Sequence, residues 1–259
     1  MLRPEMMARY NELFDKAEKS IVGKGSIIWQ RVRNARRSLM YSELELARTE
    51  PGGDVELLTR KVEEFRQRMH GVVSLNERAN SPSDYCDLYL KRFLPQKERN
   101  LAQGCPVNFV NPPAKRYQPI ANEALTDGLY GGSTYVESWV GWEGENGCFI
   151  IDLGEDKEIT SVSCDFLHQL GAWILLPKSV SYSVATSTNA DSFQTFGQKF
   201  EFAEDRDVSI KYVEGRAEVP SPVKARYIKV FVETIGMCPS WHYGIGYPAW
   251  FFLDEVIVK

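Results

Sequence analysis

The chain has 259 residues, of which 43% are hydrophobic and 25% charged, and its formal net charge is −4. This balance is typical of a folded globular protein and excludes an intrinsically disordered chain. No run of about 18 apolar residues occurs, so the sequence predicts no membrane insertion. The acidic net charge provides no overall basic field, so no nucleic-acid partner is predicted.

Charge and tryptophan are distributed unevenly along the chain. Residues 1–100 carry 19 Lys and Arg against 15 Asp and Glu, whereas the remainder carries 12 against 20. Five of the six tryptophans lie at or beyond Trp139. Two compositions predict two domains, which we place at 1–100 and 121–259, joined by a proline-containing linker at 101–120.

Helical periodicity dominates residues 1–100. A helix is predicted over 4–19 and a second from a Ser26 cap to about Arg48, with a buried seam at Ile28, Val32, Ala35 and Leu39. After the N-cap Asp54, apolar residues recur every three or four positions at Val55, Leu58, Val62, Phe65, Met69 and Val72. A fourth helix begins near Ser83. The short turn at 50–53 predicts an antiparallel pair, and the whole segment an antiparallel helical bundle.

Basic side chains occupy the face of the second helix opposite its apolar seam, at Arg31, Arg33, Arg36 and Arg37. Interleaved aromatic residues are missing and acidic residues lie nearby, which favours a solvated helix face. A phosphate- or nucleic-acid-binding patch is the alternative. His70 has no second histidine one turn away, so we interpret it as structural.

Short strand-like runs separated by turns follow from residue 147 onward. They are predicted at 149–153, 159–167, 179–185, 200–202, 210–219, 227–232 and 250–258. Such a succession without helical periodicity predicts an antiparallel β-sandwich of the jelly-roll type. The predicted fold class is therefore α+β, in two domains.

Six sequence pieces in this second half carry a family resemblance. They are 124–128 (ALTDG), 139–142 (WVGW), 149–154 (FIIDLG), 176–180 (LPKSV), 225–230 (ARYIKV) and 238–256, which contains CPSWH and AWFFLDEV. Together they resemble the F5/8 type C (discoidin-like) family of galactose-binding-like jelly rolls, in the versions appended to bacterial glycoside hydrolases. The helical half resembles the helical segment that precedes this jelly roll in large bacterial glycan-processing proteins.

This resemblance implies a non-catalytic carbohydrate-binding region at the carboxy terminus of a larger exported protein, periplasmic or on the cell surface. Its partners would be carbohydrate and an upstream catalytic region of the parent chain. The first residues, MLRPEMMARY, contain no apolar segment typical of a signal peptide. The alternative function is a structural or protein-interaction module that braces the absent catalytic region without binding sugar.

Two loops, 168–173 and 241–244, contain the groups that sugar recognition requires. These groups are an aromatic face for the pyranose ring and polar groups at its edge. The resemblance places both loops near the binding face. The predicted ligand-binding residues are His168, Trp173, Trp241, His242 and Tyr243. Trp241 and His242 belong to a recurring pattern, so they have an alternative role in bracing the loop.

The resemblance also implies a structural calcium ion, held by Asp127 and Glu255. Calcium takes six to eight oxygen ligands, so the Leu125 carbonyl and the Thr134 hydroxyl would have to contribute. Tyr130 departs from the family pattern, which commonly has Asp or Asn there. Alternatively, Asp127 only closes a turn with the following glycine.

Catalytic motifs are missing from the sequence. No nucleophile elbow, zinc-protease helix, phosphate-binding loop or dinucleotide fingerprint occurs. The five cysteines form no CxxC pair, which argues against a zinc site and a dense disulfide framework. We therefore predict that the fragment is not an enzyme.

Overall fold

The structure is a computed structural model that describes residues 3–48, 53–75, 81–95, 100–136 and 138–259. The chain divides into two compact units, residues 1–97 and 98–259. The segment predicted as a linker, 101–120, lies within the second unit and contributes a strand to its sheet. No helix in the described ranges is long and apolar enough to cross a membrane.

Four helices form the described part of the amino-terminal unit. They are α1 (Pro4–Ser20), α2 (Ile27–Arg48), α3 (Val55–Arg68) and α4 (Pro82–Leu88), which continues as a π-helical turn over Tyr89–Phe93. The predicted N-caps are confirmed: the Ser26 hydroxyl accepts from the Trp29 N–H at 3.2 Å, and the Asp54 carboxylate from the Leu57 N–H at 3.0 Å. Residues 50–52 of the predicted turn lie outside the described residues.

The pairing of α2 with α3 is antiparallel. The Arg37 Nε donates to the Arg68 carbonyl at 2.8 Å, and the ring of Tyr41, one turn later in α2, lies 6.3 Å from that of Phe65, one turn earlier in α3. The predicted seam of α2 is buried only at its carboxy-terminal end, because Leu39 is buried whereas Ile28 is 61% exposed. The periodicity identified an apolar stripe, but the buried residues of α2, Leu39, Met40 and Leu44, all lie in its second half.

The carboxy-terminal unit contains one helix and seven described strands. These are α5 (Gln118–Ala124), β1 (Val107–Asn111), β2 (Val140–Glu143), β3 (Gly147–His168), β4 (Ser179–Ala185), β5 (Gln194–Glu201), β6 (Lys211–Glu233) and β7 (Trp250–Val258). All pairings are antiparallel, in the order β2-β7-β3-β6-β4-β5, with β1 on β3. The α+β prediction is confirmed.

Two of these strands are far longer than the sequence predicted. The runs at 149–153 and 159–167 belong to one strand, β3, and those at 210–219 and 227–232 to β6. Register irregularities between Asp152 and Lys157 let the pair bend, and Gly154 adopts a left-handed φ of 81° at the bend. A strand that bends while it stays paired with its neighbour shows no distinct pattern of hydrophobic alternation. Each of these two long strands was therefore predicted as two separate strands.

Aromatic packing fills the core of this unit. Trp139 and Trp142 are fully buried, and the Trp142 ring stacks on Phe251 at a centroid distance of 5.2 Å. Trp250 is only partly buried and packs against the same core.

Candidate functional site

Main-chain hydrogen bonds join three loops that connect strands of the sheet, and we call this group of loops the loop end. They comprise 169–178, 202–210 and 234–249. The Trp250 N–H donates to the Trp173 carbonyl at 3.0 Å, and the Phe202 N–H to the Lys178 carbonyl at 3.0 Å. The Lys178 N–H in turn donates to the Glu233 carbonyl at 2.8 Å, which fixes the start of the third loop. Side chains distant in sequence are therefore held on one surface.

Trp173 occupies a strained backbone position at the loop end. Its φ of 62° and ψ of 24° lie in the left-handed region, which bulky residues rarely adopt. Its N–H donates to the Leu170 carbonyl at 2.9 Å, closing a short helical turn. Such a conformation costs about 1–3 kcal/mol and persists where the surroundings fix it, commonly at functional sites.

Trp173 and two tyrosines form a partly exposed aromatic group, which we call the aromatic rim. The Trp173 ring lies 6.1 Å from that of Tyr243 and 5.3 Å from that of Tyr247. Tyr243 and Tyr247 are 68% and 59% exposed. The Tyr243 hydroxyl donates to the Gly171 carbonyl at 2.8 Å, which orients its ring. A Cβ on Gly244 would lie 3.1 Å from the Trp173 ring, so only glycine permits this approach without displacement.

A cavity of about 520 Å³ borders Trp241, which packs against the same small buried cluster as Trp173. Its wall is both apolar and charged, and includes Leu176, Lys178, Ser179, Phe202, Glu204, Asp205, Met237 and Trp241. The Trp241 Nε1 is buried and has no hydrogen-bond acceptor among the described residues. The Trp241 indole and Arg206 lower the pKa of the Glu204 carboxyl, so the indole lies near this acceptor without a well-formed hydrogen bond.

The two predicted histidines lie beneath this surface. His168 is 1% exposed, and its Nε2 lies 3.2 Å from the Asp205 carbonyl, which ties β3 to the loop at 202–210. His242 is 3% exposed; its Nε2 lies 3.1 Å from the Leu170 carbonyl, and its Nδ1 accepts from the Gly244 N–H at 3.0 Å. These contacts give both imidazoles a bracing geometry, and the direct ligand contact expected from the sequence stays a prediction. The Nδ1 of His168 is buried and has no hydrogen-bond partner among the described residues.

The two predicted calcium ligands lie close enough for their charges to interact. Glu255 is buried; one of its oxygens accepts from the Asn100 amide at 3.1 Å, and the other has no partner among the described residues. Burial, and to a lesser degree the charge of Asp127, raise the pKa of Glu255 to about 8. The Asp127 carboxylate accepts from the Leu129 N–H at 2.8 Å, so the predicted turn at this position also exists.

These two residues fit the anionic part of a cation site, because a buried carboxylate oxygen without a partner lies beside a second carboxylate. No group of three His, Cys, Asp or Glu side chains able to hold a metal occurs in the described ranges. A cation here would therefore take further ligands from the main chain or hydroxyl groups. The Leu125 carbonyl accepts from the Val256 N–H at 2.8 Å, which places it beside the strand that carries Glu255.

The structure brings together three of the five predicted ligand-binding residues, Trp173, Trp241 and Tyr243, around the rim and the cavity. Sequence reasoning missed Tyr247, although an aromatic residue one position after Gly246 in the same loop was a signal for it. It also missed Glu204 and Arg206, because charged residues in a strand-connecting loop have no distinguishing pattern.

Comparison with known proteins gives matches among solved structures only; no family model and no curated protein matches the chain. Over 62% of this chain and 98% of the other, the fold resembles CpGH89CBM32-6 of Clostridium perfringens, at 11% identity and a TM-score of 0.38. A Streptococcus pneumoniae fucose binding module, SpX-3, matches with the same coverages and identity at 0.39. A Ruminococcus gnavus GH29 fucosidase matches over 76% of this chain but 36% of its own, at 15% identity and 0.41.

Carbohydrate-binding modules, the class that the sequence resemblance implies, are among the matching structures. With TM-scores below 0.5, these likenesses carry no argument about what the chain binds.

Proposed function

We propose that the carboxy-terminal unit is a non-catalytic carbohydrate-binding module that contacts its ligand through the aromatic rim. The observation that carries this proposal is the partly exposed group of Trp173, Tyr243 and Tyr247, held by a strained main chain. Residues of the same loops, 169–178 and 234–249, line a cavity with polar edges. The CH faces of a pyranose pack on such rings, whereas its hydroxyls require donors and acceptors at the edge.

The cavity beside Trp241 supplies those edge groups. A sugar hydroxyl accepts and donates at once, so it matches the buried Trp241 N–H and the nearby Glu204 carboxylate together. Formation of this hydrogen bond would satisfy a donor that has no partner among the described residues. At about −0.3 kcal/mol per heavy atom, a single hexose would bind with a Kd of about a millimolar.

Substitutions at residue 173 test the proposal. A glycan array, followed by calorimetry with galactose and N-acetylhexosamines, should show binding by the native chain and its loss in Trp173→Ala. Trp173→Gly provides a matched control, because glycine relieves the left-handed strain while it also removes the ring. We expect both variants to lose binding and Trp173→Gly to be the more stable. Unchanged affinity in both variants, with the fold intact, would refute a role for the rim.

Several broader features belong to this proposal. We propose that the bent sheet closes as a jelly-roll sandwich, that the helices form a bundle, and that the chain is the carboxy-terminal region of a larger exported protein. Binding would then hold a catalytic region of the parent protein near its glycan and raise the effective concentration of substrate.

We also propose that Asp127 and Glu255 hold a calcium ion, whose bound charge would fix the loop at 125–134. Calcium should raise the thermal unfolding midpoint of the native chain, and terbium luminescence should report direct binding. Glu255→Gln should remove both effects, whereas Glu233→Gln, which alters a partly exposed carboxylate of the same unit that is paired with Lys178, should retain them. Calcium stabilisation that persists in Glu255→Gln would refute this site.

A second candidate, a module that braces another protein region, is favoured by one observation in the helices. An apolar groove of about 440 Å³ lies between α1 and α2, lined by Tyr10, Leu13, Phe14, Ala17, Arg31, Val32 and Ala35. Exposed apolar surface of this kind marks interaction sites. Absence of binding to every glycan on the array would favour this candidate over the first.

A further inference from the structure

A second polar cavity lies in the amino-terminal unit, between the first half of α2 and the end of α3. Its volume is about 450 Å³, and it is lined by Trp29, Gln30, Arg33, Asn34, Arg37, Gln67, Arg68 and His70. None of these residues is acidic. Three guanidinium groups and three primary amides therefore present an excess of hydrogen-bond donors to one space.

Two of the arginines in this cavity have no acidic partner among the described residues. Every other half-buried arginine of α2 and α3 has an acidic partner: Arg36 with Asp15, Arg48 with Glu45, Arg66 with Asp87 and Arg68 with Glu18, all at 2.6–2.9 Å. Arg33 and Arg37 are equally half-buried, yet no carboxylate lies within ion-pair distance of either among the described residues. Partly desolvated charges without a partner favour a ligand that supplies the opposite charge.

The remaining contacts leave these two guanidinium groups available. The Arg33 guanidinium lies 4.4 Å from the centre of the Trp29 ring, a cation–π contact that holds it in place without satisfying its N–H donors. Arg37 uses its Nε on the Arg68 carbonyl at 2.8 Å, which leaves its two terminal nitrogens without a described partner. These contacts fix the positions of the Arg33 and Arg37 guanidinium groups in the absence of a bound anion.

We propose that this cavity binds an acidic saccharide, a sugar ring that carries a carboxylate or sulfate group. Arg33 and Arg37 would bind the oxyanion, and the amides of Gln30, Asn34 and Gln67 would bind ring hydroxyls, because an amide both donates and accepts. The volume exceeds that needed by a bare inorganic anion, and the Trp29 indole gives it an apolar wall.

Nucleic acid fits this surface less well. Glu64 and Glu18 are paired with Arg68 at 3.4 Å and 2.9 Å, so carboxylates flank the cavity at its α3 edge. A long polyanion would have to pass these charges, whereas a compact anion would not. A single aromatic wall also contrasts with the repeated stacking platforms of single-strand binders.

Titration of the full chain with glucuronate, glucose and inorganic sulfate tests the proposal. The signal is the Trp29 indole N–H resonance, assigned from Trp29→Phe. We expect glucuronate to shift it and glucose not to, with weaker binding at higher ionic strength. Arg33→Gln should reduce glucuronate affinity about tenfold. Arg31→Gln, which removes an exposed arginine of the same helix outside the cavity, should leave it unchanged.

Several results would overturn the proposal. No glucuronate shift, or an equal affinity in Arg33→Gln, would refute the anion site. Sulfate binding as tight as glucuronate binding would refute the saccharide, and displacement by a DNA oligonucleotide at lower concentration would favour nucleic acid. The salt dependence of the native chain is a readout that does not depend on any variant. Trp173→Ala should not change glucuronate binding at this site. A failure of this proposal can therefore be distinguished from a failure of the proposed sugar binding at the aromatic rim.

Discussion

Replacement of His242 by alanine distinguishes a bracing role for this imidazole from direct contact with a ligand. In the structure one ring nitrogen lies 3.1 Å from the Leu170 carbonyl and the other accepts from the Gly244 N–H at 3.0 Å. Both partners are main-chain groups of different loops. His242 thus connects the turn that precedes Trp173 to the loop that carries Tyr243.

The magnitude follows from what the substitution leaves behind. Each buried main-chain group that loses its partner costs about 1–3 kcal/mol. The Leu170 carbonyl keeps a long contact of 3.4 Å with the Tyr243 hydroxyl, so its loss is partial. We therefore expect His242→Ala to lower the free energy of unfolding of this unit by about 2–4 kcal/mol. A residue that only touched ligand would change it by about 0.5 kcal/mol or less.

Urea unfolding measured by tryptophan fluorescence reports this change, because five of the six tryptophans belong to the carboxy-terminal unit. Tyr243→Phe is the control, since it removes the exposed hydrogen bond to Gly171 and the long contact with Leu170 and should cost about 0.5–1.5 kcal/mol. If His242→Ala kept the native free energy of unfolding but lost glycan binding, the bracing role would be refuted. That result would instead support direct contact between His242 and the ligand.

Other expectations concern the scaffold. Arg226 forms a paired contact with Asp152 at 2.7 and 2.8 Å, which lowers the pKa of that carboxyl. Because the pKa of Asp152 is depressed in the folded state, this stabilisation is present above the ordinary pKa near 3.8 and is lost as the pH falls below it. In acid titrations, the stability of Arg226→Met should therefore decrease less below about pH 4 than that of the native chain. Gly141→Ala would place a Cβ 2.6 Å from a buried aromatic ring and should lower the unfolding free energy by about 1–3 kcal/mol, whereas Gly171→Ala meets open space and should be neutral; equal effects in urea unfolding would contradict this. Asp54→Ala removes the N-cap of α3 and should cost about 1 kcal/mol, which thermal unfolding followed by helical circular dichroism would detect as a lower midpoint, and an unchanged midpoint would contradict the cap.

The sequence by itself determined the local features of this protein. The cap at Asp54, the extents of α1 and α2 and the strand character of residues 179–185 follow from chemistry within a few neighbouring residues. Such features depend on short-range hydrogen bonds and on the periodic spacing of apolar side chains, both of which can be read directly from the chain.

Only the tertiary structure decided which candidate residues reach the surface. His242 and Tyr243 are adjacent in the sequence and were both predicted to bind the ligand, yet His242 is buried and Tyr243 is exposed. The outcome depends on loops more than 60 residues apart in sequence, which meet through hydrogen bonds to the sheet edge. Likewise, Arg33 has no acidic partner among the described residues because of where the acidic side chains of the other helices lie. Ion pairing between helices is set by packing and leaves no spacing pattern within one segment.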